Sequence, residues 1–101
     1  MEFKRELQKG VMTISLIGEL DEKSAHETRE YLDNTINHYR FEKLVLDFAE
    51  VGFMDSTGIG VLLGRYKRIR SLGAELCVCG IKPQVDKVFR ISGLYQIIKA
   101  V

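Results

Sequence analysis

The run Leu44-Val45-Leu46, at the centre of Lys43 to Phe48, constrains the fold most. Consecutive apolar residues of strand-forming type mark a buried strand. Amphipathic helical stretches flank it. Upstream, Ser24 with Glu27 three residues later fits a capping box. Thr28, Leu32, Ile36 and Tyr39 then recur at helical spacing, with Glu27, Arg29, Glu30 and Asp33 directed at water. Downstream, Ile59, Leu62, Leu63, Tyr66 and Ile69 form a second stripe, closed by Gly73 as a C′ glycine.

The remaining segments extend this alternation. Phe3 to Leu7 reads as a short strand and Lys9-Gly10 as a turn. Val11 to Ile17 alternates, with Met12, Ile14 and Leu16 on one face and Thr13 and Ser15 on the other, so the chain opens with a hairpin. Ala74 to Cys79 is a further strand. Pro83 suits the first turn of a helix whose buried face is Val85, Val88 and Phe89. Gly93 stops that helix, and Tyr95 to Ala100 reads as a final edge strand. The order β-β-α-β-α-β-α-β predicts an α/β fold with a mixed sheet: an N-terminal hairpin, then parallel crossovers. With 101 residues, 46% of them hydrophobic, the chain is expected to form one domain, 1–101, around one core.

Composition narrows function. Fifteen basic against 14 acidic residues give a net charge of +1, without the basic excess of an electrostatic nucleic-acid binder. No apolar run reaches the roughly 18 residues of a membrane span. The start, Met1-Glu2-Phe3-Lys4-Arg5-Glu6, lacks the apolar region of a signal peptide, so a cytoplasmic protein is expected. Cys77 and Cys79 fit a reducing compartment as small buried hydrophobes on one strand face.

The chemistry concentrates in Phe53-Met54-Asp55-Ser56-Thr57-Gly58, between the buried strand and the second helix. A helix N-terminus has unpaired N–H groups and positive potential, and it welcomes a phosphate. Open α/β sheets gather functional sites at the carboxyl ends of strands. Gly18-Glu19-Leu20-Asp21 follows the preceding strand, so two distant loops are expected to meet at that edge. The plain role of Asp55 and Ser56 is helix capping. A hydrolase reading fails because Met54 stands where a nucleophile elbow has glycine, and because His26 and His38 lie twelve apart on one helix. An aspartic-protease reading fails on the spacing of Asp55 and Gly58. Asp47 raises a receiver domain, but the acidic pair after the first strand is missing and receivers do not open with a hairpin. Gly58-Ile59-Gly60 is no phosphate-loop motif, so the chain would be a substrate of a kinase rather than a kinase. Gly60 and Gly64 share a helix face, which predicts close approach of the sheet or a partner. The run Arg65, Lys67, Arg68 and Arg70 reads as a solvated face.

Together these segments resemble the anti-sigma factor antagonist family, the STAS domain, most closely its sporulation branch. The resemblance rests on Gly18-Glu19-Leu20-Asp21, Phe53-Met54-Asp55-Ser56-Thr57-Gly58-Ile59-Gly60, Leu63-Gly64-Arg65-Tyr66-Lys67, Cys77-Val78-Cys79 and Phe89-Arg90-Ile91-Ser92-Gly93-Leu94. It implies helices packed mainly on one side of the sheet. It also implies a non-enzymatic switch. The unphosphorylated protein would bind an anti-sigma factor, itself an ATP-dependent serine kinase, and free the sigma factor. Phosphorylation at Ser56 would end that binding, and a PP2C-type phosphatase would restore it. By the same match, Asp21, Asp55, Ser56, Thr57, Gly58 and Gly60 form the partner surface. No cofactor, metal, nucleic acid or membrane is implied. Relatives often follow Gly-Glu-Leu-Asp with two histidines, where Glu22-Lys23 stand here, which changes the charge beside the site. Relatives also carry a further C-terminal helix, whereas this chain stops at Val101, which would leave one surface less covered. The competing reading is a STAS-type module that binds a nucleotide or other ligand, or acts as a scaffold, with Ser56 as a cap.

Overall fold

The computed structural model describes residues 1–101. The elements are β1 (Glu2–Gln8), β2 (Val11–Leu20), α1 (Ala25–His38), β3 (Lys43–Met54), α2 (Ser56–Ser71), β4 (Glu75–Cys79), α3 (Pro83–Ser92), a 3-10 turn (Leu94–Gln96) and β5 (Lys99–Ala100). The sheet order is β1-β2-β3-β4-β5. Strand β1 pairs antiparallel with β2, and every later pair is parallel. The expected hairpin followed by crossovers is therefore present.

All three helices cover one face. Met12, Ile14 and Leu16 of β2, Leu44, Leu46 and Phe48 of β3, and Leu76 and Val78 of β4 form one buried cluster. Leu32, Ile36, Val61, Leu62, Ile69, Val85 and Phe89 of the helices complete it. Phe48 and Phe89 meet edge to face at 5.5 Å, which seats α3 on β3. The opposite face aligns Thr13 with Val45 and Cys77, and Ser15 with Asp47 and Cys79. Val45 and Cys77 are buried there, outside the main cluster, because neighbouring strands crowd them. Burial, then the carboxylate of Glu75, pushes the Cys77 thiol up; burial, then Asp47, does so for Cys79.

Several expectations need correction. Strand β2 runs to Leu20 rather than Ile17, and β3 runs to Met54 rather than Phe48. Beyond Asp47, β3 pairs with β2 alone, because β4 stops at Cys79. That stretch is half solvated, so Glu50, Gly52 and Phe53 disguise it as a loop. Asp47 therefore sits within a strand, with its Oδ1 accepting from the Ala49 N–H at 2.9 Å. The final strand is only Lys99–Ala100, because Leu94–Gln96 forms the 3-10 turn. The capping box at Ser24 does not form. Glu27 instead takes the amino terminus of Met1 at 2.9 Å, and the Ser24 hydroxyl donates to the Glu19 carbonyl at 2.6 Å. Tyr39 lies outside α1 and is exposed, while Thr35 is buried within it. Arg65 is not part of a solvated face: its Nε lies 3.1 Å from Asp33 Oδ1, which ties α2 to α1.

Candidate functional site

Parallel pairing carries the ends of β2 and β3 to the same edge, where Leu20 stands opposite Met54. Register shifts at Ser15/Ile17 and at Gly18/Leu20 bend β2 there, as bulges do. Gly18 has φ +132°, which a side chain rarely adopts. The Asp55 N–H donates to the Leu20 carbonyl at 3.4 Å, joining the two segments by backbone. The two loops thus converge as the sequence implied, although both continue as strand almost to their functional residues.

Asp55 is the N-cap of α2, in extended conformation. Its Oδ1 accepts from the N–H groups of Thr57 at 2.9 Å and Gly58 at 3.3 Å. This corrects the picture of a helix end with its donors waiting for an anion: a carboxylate of the chain itself already holds two of them. Ser56 follows as the first helical residue, is exposed, and its hydroxyl makes no hydrogen bond within the protein. Capping is the work of Asp55 and not of Ser56. The serine hydroxyl is free for chemistry supplied from outside. Both histidines, His26 and His38, lie on α1 and outside this motif.

Gly58 is buried, and its lack of a side chain serves the interior. A Cβ there would come within 2.6 Å of Met54 Cγ and 2.9 Å of the Leu20 carbonyl oxygen. Gly60 is exposed with open space around it, and so is Gly64. The expected approach of the sheet to that glycine face is absent. Ser56, Gly60 and Gly64, four apart, leave a bare strip along α2. Thr57 is half-buried. Asp21 turns its Oδ1 back on its own loop, accepting from the N–H groups of Lys23 at 3.0 Å and Ser24 at 3.1 Å. Asp21 and Asp55 thus each order the local backbone while adding negative charge to the edge. Exposed Glu19 and Glu22 add more, with Lys23 as a nearby cation. Sequence reasoning placed Leu20 in its motif but missed its role: its carbonyl accepts from the Asp55 N–H and its side chain packs against Gly58.

Surface grooves lie elsewhere. One is lined by residues 36–41 with Leu72 and Ala74, and another by Tyr66, Arg70 and residues 73–76 with Ile97 and Lys99. Residues 2–101 match the STAS domain family. The chain belongs to the STAS domain family. This STAS domain is 38% identical over 97 residues to an anti-sigma F factor antagonist of Paenibacillus polymyxa, covering 96% of this chain and 83% of the relative. It is 35% identical to an anti-sigma-B factor antagonist of Listeria monocytogenes, covering 85% of this chain and 75% of the relative. Among solved structures it superimposes on the Bacillus cell fate determinant SpoIIAA in the phosphorylated form. The TM-score is 0.73 at 27% identity, over 99% of this chain and 91% of that one.

Proposed function

We propose that this STAS domain is an anti-sigma factor antagonist switched by phosphorylation of Ser56. Unmodified, it binds its anti-sigma factor through the edge formed by Asp21, Asp55, Ser56, Thr57 and Gly60, and so frees the sigma factor. Gly58 shapes this edge from beneath. The anti-sigma factor is the serine kinase, a PP2C-type phosphatase reverses the mark, and the system operates in the cytoplasm. The similarity to antagonists of anti-sigma factors supports the class of partner. The observation that carries the switch is the free, exposed hydroxyl of Ser56 directly after a carboxylate that has already taken the helix donors.

Phosphorylation adds about −1.5 to −2 charges and three acceptor oxygens. The new group stands beside Asp55, with the Thr57 and Gly58 N–H groups already engaged, so it projects toward the partner. Inside a docked interface it brings like-charge repulsion and desolvation. A loss of about 3 kcal/mol weakens binding by roughly a hundredfold. Transfer itself needs only exposure and orientation from the substrate, because phosphoryl transfer is catalysed by positioning and electrostatics in the kinase and its Mg²⁺.

Incubation with the anti-sigma kinases of the source organism and Mg-ATP, followed by intact-mass and site mapping, tests the proposal. One added phosphate on Ser56 is expected. Absence of modification by any of them returns the chain to the ligand-binding or scaffold reading. Ser56→Asp is expected to keep the fold and bind the anti-sigma factor at least about a hundredfold more weakly, by calorimetry. Ser56→Ala is expected to bind and never release on addition of ATP.

A further inference from the structure

Strand β1 lies at the margin of the sheet, with no strand beyond it. The Lys9-Gly10 turn joins it to β2 across the pair Gln8–Val11, and both turn residues have positive φ, as a two-residue type I′ turn requires. Such a turn closes on a hydrogen-bonded pair, and hydrogen-bonded pairs recur at alternate positions. Gln8, Glu6, Lys4 and Glu2 therefore bond to β2. Phe3, Arg5 and Leu7 turn their N–H and C=O groups outward. An open edge of this kind is a template for another strand.

The side chains select what fits there. We propose that β1 pairs antiparallel with β1 of a second copy of this chain, about a twofold axis at Arg5. In that register Lys4 of each copy faces Glu6 of the other, Phe3 faces Leu7, and Glu2 faces Gln8. Opposite-charge and apolar cross-strand pairs are the stabilising kinds. The neighbouring registers fail. An axis at Lys4 sets Lys4 against Lys4 and Glu2 against Glu6; an axis at Glu6 sets Glu6 against Glu6 and Arg5 against Leu7. The one like-charged pair, Arg5 with Arg5, is drawn away from the axis. Each guanidinium lies 5.2 Å from the Tyr31 ring centroid and 4.7 Å from that of Tyr39, and donates to the Thr35 hydroxyl at 3.1 Å. Leu7, 44% exposed in the single chain, gains cover. The same Lys4, Arg5 and Glu6 charges discourage pairing with unrelated edges, which is how edge strands avoid aggregation. The contact is one strand wide, below the roughly 1,200–2,000 Å² of a stable interface, so association is weak and concentration-dependent. Ser56 stands on α2, across β2 from this edge, and stays accessible in both copies.

Sedimentation of the full chain from micromolar to millimolar concentration tests this. Lys4 and Glu6 are exposed, so charge reversal leaves the fold intact, which circular dichroism checks. The native chain is expected to pass from monomer to dimer. Lys4→Glu alone and Glu6→Lys alone are each expected to weaken association about tenfold. Mixing the two variants restores it, because each then presents the charges that the other lacks. The proposal is overturned by a monomer at every concentration, by a dimer indifferent to either reversal, or by a mixture that stays apart.

Discussion

Three glycines in and after the Ser56 motif look alike in the sequence and do different work. Gly58 sits where a Cβ would strike Met54 and the Leu20 carbonyl, and that carbonyl is backbone and cannot swing away. Gly58→Ala is expected to destabilise the fold by about 1–3 kcal/mol, the usual cost of overpacking. Gly60→Ala and Gly64→Ala meet open space within a regular helix, so each is expected to stabilise it by up to about 1 kcal/mol. Denaturant midpoints measured side by side separate the two groups. If Gly60 serves the partner, Gly60→Ala will weaken anti-sigma binding while raising stability, and no packing defect can produce that combination. The motif was legible as a polar junction, and its serine was legible as a candidate acceptor. That Asp55 and not Ser56 caps the helix was not legible, because Asp and Ser are both favoured caps and only backbone geometry assigns the role.

At the scale of elements, α3 and the 3-10 turn are bound together by Tyr95. Its hydroxyl donates to Asp86 Oδ1 at 2.6 Å, Arg90 holds the other oxygen of Asp86 at 2.7 Å, and the ring packs on Phe89 at 5.1 Å. Burial, then the hydrogen bond to Asp86, pushes the phenol from 10.0 up to about 12. A phenol whose folded pKa is raised contributes its full stability below its unfolded pKa. Between about 10 and about 12 the unfolded chain releases the proton and the folded chain retains it, so stability falls as pH rises through that window. Thermal melts from pH 9 to 12 are expected to show a steeper alkaline decline in the native chain than in Tyr95→Phe. Element order was readable because helical and strand periods differ. The ends of β2 and β3 and the shortness of β5 were not, since strands half open to water carry the glycines and charges of loops.

For the whole molecule, carboxylates gather at one edge of the sheet. Glu19, Asp21, Glu22 and Asp55 stand at the carboxyl edge of the sheet, while Lys67, Arg68 and Arg70 lie in the far half of α2. A net charge of +1 conceals this polarity. On the proposal that the anti-sigma factor docks at the acidic edge, its binding is expected to be steered by charge. The association rate should fall about tenfold or more between low and physiological salt, with the dissociation rate little changed, as stopped-flow mixing will show. The class of fold, the order of its elements and the family were legible in the sequence alone, which also offers Ser56 as the candidate acceptor. Each of these depends on local period, on turn chemistry or on a contiguous motif. Tertiary structure decided which glycines are packed and which are bare, that Arg65 is tied to Asp33, that Leu20 supports Asp55, and that β1 is left with an open edge. Those facts depend on distances between residues far apart in the chain, and such distances are set by pairing register and by the packing of helices on one face of the sheet.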